Sequence, residues 1–202
     1  MEPKNYLQKL LGDTDIYLLD QIMKGRFRAS DKILDAGCGN GRNMHWFLQN
    51  SFEIYGIDMN EENINVLKNK NPNLSEERLQ IFKVEKMNFP DNYFDHVICS
   101  AVLHFAKNTI HFKQMFTEML RVLKSDGILF IRMTSDIGIE NTIRLIADGV
   151  YQIPDGSNRF LLTKNFLAEC MRENNLSFIE PLKTVNVNDE RCMTTLVLRK
   201  NN

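Results

Sequence analysis

The chain has 202 residues with 25 Lys plus Arg against 26 Asp plus Glu, a formal net charge of −1, which leaves no excess to hold a phosphate backbone and makes a nucleic-acid partner unexpected. Its 43% hydrophobic and 25% charged residues are those of an ordinary globular domain able to bury a core, which excludes disorder. No apolar run approaches the ~18–20 residues of a bilayer span, and the opening stretch MEPKNYLQKLLGDTD lacks the apolar region of an export signal, so one cytoplasmic domain is the expectation.

In chain order, Asp13-Thr14-Asp15 offers a cap and Ile16–Met23 places apolar side chains on one helical face. Lys32–Asp35 is a short strand-like run ended by Gly37, Gly39 and Gly41, after which a helix begins. Phe52–Ile57 reads as a second strand ended by Asp58, and Asn60–Lys70 as a helix stopped by Asn71-Pro72. Leu79–Val84 and Asp95–Ala101 are the third and fourth strands. Apolar residues at three- and four-residue steps from Phe112 to Leu123 make Ile110–Leu123 an amphipathic helix, closed by Ser125-Asp126-Gly127, with Met115 and Met119 assigned to its core face. Gly127–Met133 lacks polar alternation, as a central strand covered on both faces does.

The last third reads differently. Thr134–Phe160 shows no strand and only a helical patch near Thr142–Ile146, and Thr163–Glu173 is helical. Leu176–Val187 and Cys192–Leu198 read as strands, and the short turn Asn188-Asp189-Glu190 between them requires an antiparallel pair. The whole pattern predicts an α/β fold: a doubly wound, mostly parallel sheet with an antiparallel hairpin at its C-terminal edge. Cys38, Cys99, Cys170 and Cys192 show no paired spacing, and His45, His96, His104 and His111 no metal-ligand spacing, so free thiols and no metal are expected. Lys68, Lys70 and Arg78 read as a solvated basic face.

The chemistry concentrates in Ile33-Leu34-Asp35-Ala36-Gly37-Cys38-Gly39-Asn40-Gly41-Arg42-Asn43, a strand ending in a glycine-rich turn. Glycines there let backbone approach a ligand without Cβ collisions. Asp58, 21 residues beyond Gly37, stands where a carboxylate can accept hydrogen bonds from both hydroxyls of a ribose. A nicotinamide fingerprint would carry a third glycine where Arg42 stands, and a pyrophosphate would meet the negative charge of Asp35. S-adenosylmethionine has no phosphate, and Asp35 can help hold its cationic amino group through water. The residues favour that sulfonium cofactor, with an NAD-dependent oxidoreductase as the competing reading.

Four segments, ILDAGCGNGRN (33–43), IYGIDMN (54–60), FPDNYFDHVICSAVLHF (89–105) and MLRVLKSDGILFIRM (119–133), resemble those of class I S-adenosylmethionine-dependent methyltransferases of the small, type 11/12-like kind. The GCGNGRN form is similar to the branch that includes thiopurine and tellurite methyltransferases. The resemblance covers roughly residues 30–135 and implies a seven-stranded Rossmann-like sheet whose last strand is antiparallel. It implies that Asp35, Gly37, Cys38 and Gly39 line the methionine part of the cofactor, with Asn43 beside them. It further implies Asp58 on the ribose, Met59 against adenine, and Ser100 near the methyl group.

Where the family carries an acid and a small residue after the third strand, this chain has Lys83 and Val84, and Lys83 cannot accept from the adenine amino group. Glu85 or backbone near Val84 is the expected substitute. His104 is the candidate general base, and Asp136, Tyr151 and Arg159 are the candidate acceptor contacts, on a 134–160 segment read as a lid. Residues 1–30 are expected to form a helical cap, with Tyr6 and Tyr17 closing the site or packing in the core, and 163–202 the closing helix and hairpin. A small-molecule acceptor is the leading expectation. The alternatives are a protein or RNA acceptor, a regulator that binds cofactor without catalysis, and a metalloid acceptor held by Cys38 and Cys99.

Overall fold

In a computed structural model the chain is described from residue 3 to residue 202, with side chains from Tyr6 onward; the first residues of the stretch read for an export signal lie outside the described residues. Two helices, α1 (Pro3–Leu11) and α2 (Ile16–Met23), lead into β1 (Lys32–Ala36). The chain then alternates through α3 (His45–Gln49), β2 (Glu53–Asp58), α4 (Glu61–Lys70), β3 (Leu79–Ile81), β4 (Phe94–Ser100), α5 (Thr109–Val122) and β5 (Leu123–Ser135). After β5 come β6 (Arg144–Ala147), β7 (Val150–Gln152), β8 (Asn158–Phe160), α6 (Lys164–Glu173), β9 (Leu176–Phe178), β10 (Lys183–Val187) and β11 (Arg191–Lys200).

The main sheet runs β10-β11-β5-β4-β1-β2-β3, with β9 also paired to β11. The first five strands are mutually parallel, and β11 lies antiparallel between β5 and the edge pieces β9 and β10. The predicted doubly wound sheet and its antiparallel hairpin are therefore present. The expected edge strand 176–187 is broken in two, so the sheet has eight strands where a continuous edge would give seven.

Side-chain alternation explains why the central strands look continuously apolar. Leu34, Val97 and Leu129 pack with Phe112 and Phe116 on one face, while Ile33, Ile98 and Phe130 pack with Leu18 and Phe47 on the other. Helical caps set the ends: Asn60 accepts from the Glu62 N–H, Asn108 from His111 and Thr163 from Phe166. Helix α2 is tied to the far edge through Glu180, which accepts from Gln21, Lys24, Arg26 and Lys183; although burial opposes it, these partners bring its carboxyl down to about 2. All four cysteines are free and buried. No described helix is long and apolar enough to cross a membrane.

Four further expectations are corrected. Residues 144–160 form a three-stranded antiparallel sheet, β6-β7-β8, where no strand and a helical patch are predicted. The local reason is the two-residue turn Asp148-Gly149, with Gly149 at φ +70°, which favours a hairpin over a helix. Helix α5 ends at Val122, and β5 starts at Leu123 instead of after Gly127. Asp126, at φ +62°, forms an irregularity inside that strand. The third strand stops at Ile81: the Phe82 N–H still donates to the Asp58 backbone oxygen at 3.2 Å, and Lys83 then pairs back on Lys86. Arg78 is not a solvated charge: it donates to the backbone oxygens of Ile54 and Phe52 at 2.9 and 2.7 Å.

Candidate functional site

Strand order reverses between β1 and β4, and at such a switch point the two flanking loops diverge and leave a crevice. Here the crevice is a cleft of 440 Å³ reached by Gly37, Gly39, Asp58, Ala101 and Val102. Its remaining wall includes Met59, Val84, Glu85 and Met115. Met115, expected to be pure core, is buried yet borders the cleft, whereas Met119 is wholly internal.

The glycine turn is fastened from beneath. The Gly37 and Cys38 N–H groups both donate to the Ile57 oxygen, at 2.9 and 2.8 Å, which locks the β1 turn to the end of β2. Gly37 adopts φ +82°, and a Cβ there would lie 2.4 Å from Val102 Cγ2, so only glycine fits. Gly39, at φ +55°, faces open space. Its N–H donates to Asp58 Oδ2 at 2.8 Å, and Asn60 N–H donates to Asp58 Oδ1 at 2.8 Å. The Asp58 carboxylate is thus held at the cleft edge before any ligand arrives.

Asp35, on β1 just before the turn, is 1% exposed and does not line the cleft, and its Oδ2 has no hydrogen-bond partner. Burial raises its carboxyl from 3.8 to about 7, with Arg42 opposing the rise and Asp58 adding to it. Cys38 and Cys99 are also pushed up by burial, Cys99 to about 12, so both are protonated thiols at neutral pH and poor ligands for a metalloid. Among the described residues no group of three His, Cys, Asp or Glu could hold a metal ion.

Two residues expected at the cofactor are engaged elsewhere. Asn43 Oδ1 accepts the Asp15 N–H at 3.0 Å, and Ser100 Oγ lies between Arg42 Nη2 at 3.2 Å and Asp15 Oδ2 at 3.4 Å. Asp15 is a buried hub that sequence reading misses: its other oxygen caps α2, and its Oδ2 is 3.1 Å from Arg132. The hub fastens the helical cap to β4 and β5. Tyr17 contributes through its ring, 5.2 Å from the Arg132 guanidinium, while Tyr6 is 58% exposed.

Beyond the 3-10 turn Leu103–Phe105 lies a second cavity of 290 Å³. His104, Arg132, Arg159 and Arg191 line it, with Asp155 as the one carboxylate among its lining residues. His104 is 7% exposed with Nδ1 unpartnered; burial, then Arg159, Arg132 and Arg191, lower it to about 4. Of the three expected acceptor contacts, Arg159 reaches this cavity. Tyr151 packs against the small cluster under β6–β8, and Asp136 sits outside with its carboxyl raised by burial. Arg132 and Arg191 escape sequence reading because one is hidden in an apolar strand and the other opens the last one.

The sheet order and the cleft at its switch point are those of the class I, S-adenosylmethionine-dependent methyltransferases. Residues 34–131, just under half of the chain, match the family model of the methyltransferase domain. A ubiquinone/menaquinone biosynthesis C-methyltransferase of Chromobacterium violaceum is 33% identical over 111 residues, covering 52% of this chain and 43% of the relative. The chain spans less than half the length of the curated relatives it matches. Among solved structures, an S-adenosylmethionine-dependent methyltransferase from Clostridium acetobutylicum has a TM-score of 0.71 at 14% identity, over 98% of both chains. The [4+2]-cyclase SpnF has a TM-score of 0.68 at 16% identity, over 92% of this chain and 80% of its own. Likeness of fold alone therefore does not choose the reaction.

Proposed function

We propose that this chain transfers a methyl group from S-adenosylmethionine to a small-molecule acceptor. When bound, the cofactor supplies an electrophilic methyl group open to in-line displacement by an acceptor nucleophile. The cleft residues suit it: Gly37 and Gly39 offer bare backbone, and Asp58 offers a pre-set pair of acceptor oxygens for ribose hydroxyls, while Asp35, buried on the strand before the turn with one oxygen unpartnered, is proposed to favour the ligand ammonium through water. Met59, Val84 and Glu85 are proposed to flank adenine.

Alignment and exclusion of water are the work left to the protein, and alignment alone can contribute ~7–11 kcal/mol. His104 is neutral at pH 7 and a weak base at about 4. It suits holding an acceptor better than stripping a tightly bound proton. The small β6–β8 sheet, carrying Arg159, is proposed as the acceptor lid, and the 290 Å³ cavity beside it supports a compact acceptor.

The observation that carries this reading is the convergence of Gly37, Gly39 and Asp58 on one cleft within the matched segment, with the buried Asp35 on the strand that leads into the glycine turn. Thermal unfolding with and without S-adenosylhomocysteine tests it. The product should raise Tm, and Asp58→Ala should abolish most of that rise. An equal rise in wild type and Asp58→Ala would refute the assigned ribose contact; no rise in wild type would refute the function.

A further inference from the structure

We propose that the cavity over His104 is an oxyanion subsite, so that the methyl acceptor is a small molecule bearing a carboxylate or phosphate. The inference rests on the methyl-transfer reading above and adds the acceptor's chemical class.

Three guanidiniums reach this cavity from separate elements: Arg132 from β5, Arg159 from β8 and Arg191 from β11. Such convergence costs mutual repulsion, and the charge present does not offset it. Asp155 lies 3.7 Å from Arg191, an outer contact, and Asp15 serves both Arg132 and Arg42 from behind. Arg159 has no carboxylate within ion-pair distance among the described residues. It donates to the neighbouring Asn158 oxygen and lies 5.0 Å over the Phe105 ring.

Two polar atoms of the lining residues add to this. Arg132 Nε, a donor, and His104 Nδ1 are buried without a hydrogen-bond partner. A buried donor left unmade is costly unless a ligand completes it. Guanidinium forks match the paired oxygens of carboxylate and phosphate, so one oxyanion can satisfy several of these groups at once.

The cavity is also correctly placed. The turn Leu103–Phe105 forms its shared wall with the cofactor cleft: Phe105 lines the cleft and His104 the cavity, their rings 4.5 Å apart. The cofactor side carries both signs, Asp58 and Glu85 with Lys83, Lys107 and His111, whereas three arginines against one carboxylate line the cavity, and that local excess fits an anionic acceptor. A volume of 290 Å³ suits a compact molecule.

Calorimetric titration of the full chain, saturated with S-adenosylhomocysteine, with inorganic phosphate and separately with benzoate tests the proposal. At least one of them should bind wild type, and Arg159→Gln and Arg191→Gln should each weaken it about tenfold while leaving S-adenosylhomocysteine affinity within about twofold. Phosphate alone would mark a phosphorylated acceptor, benzoate alone a carboxylate. Binding of neither, or equal binding by wild type and both variants, overturns the subsite. Failure of S-adenosylhomocysteine to bind, with oxyanion binding retained and sensitive to the two arginines, would instead remove the methyl-transfer reading and keep the subsite.

Discussion

Asp35→Asn removes a buried charge whose Oδ2 no hydrogen bond reaches. Its carboxyl stands at about 7 in the folded chain against 3.8 when exposed, mainly through burial. At ~1.36 kcal/mol per pH unit that gap corresponds to about 4 kcal/mol. The folded state holds the proton more tightly than the unfolded one. This stability is therefore fully present below about pH 3.8 and is lost as pH rises through 7. Asparagine stays neutral throughout, but its amide leaves an unmet polar group worth roughly 1–3 kcal/mol. At pH 8 the variant should be about 2 kcal/mol more stable than wild type, with Tm ~4–8 °C higher for a chain of this size. At pH 5, where the wild-type carboxyl is protonated, the difference should close. Circular-dichroism melts of the ligand-free protein at the two pH values measure it. A variant less stable at pH 8, or a difference indifferent to pH, would refute the reasoning. A gain in stability with a loss of cofactor affinity would mark Asp35 as kept for binding.

Gly37→Ala places a Cβ 2.4 Å from Val102 Cγ2 at φ +82°. Left-handed strain of ~1–2 kcal/mol and overpacking of ~1–3 kcal/mol should lower Tm by ~5–15 °C, and an unchanged melt would contradict the turn geometry. His104→Ala should lower acceptor turnover while S-adenosylhomocysteine affinity stays within about twofold; turnover at the wild-type level would remove His104 from the acceptor site. Because the folded His104 stands at about 4, below its exposed value of 6.5, its contribution is present above pH 6.5 and lost as pH falls toward 4. Acid unfolding of His104→Ala should accordingly be less steep, by up to about 3 kcal/mol across that window.

The cofactor half of the molecule was legible because its signals are local. A strand, a glycine turn and an acid at the end of the next strand lie within 26 residues, from Ile33 to Asp58, and each constrains backbone near itself. Gly37, Gly39 and Asp58 read together on that basis and meet at one cleft, and the antiparallel β10–β11 pairing follows from the length of the turn between them. The half proposed to hold the acceptor was not legible in the same way. β6 is exposed along its whole length, so it has no apolar alternation to read, and its one sign was the Asp148-Gly149 turn. Arg132, Arg159 and Arg191 converge only through the packing of three elements. Asn43 and Ser100 sit beside the motif, but their side chains serve Asp15, from a segment more than 25 residues away, and no local pattern announces that.

The most direct measurement is calorimetric titration of the wild-type chain with S-adenosylhomocysteine and, separately, with NAD. The account predicts one site for S-adenosylhomocysteine, weakened by Asp58→Ala, and no binding of NAD. Binding of NAD without S-adenosylhomocysteine would contradict it, and would turn the same cleft into that of an oxidoreductase.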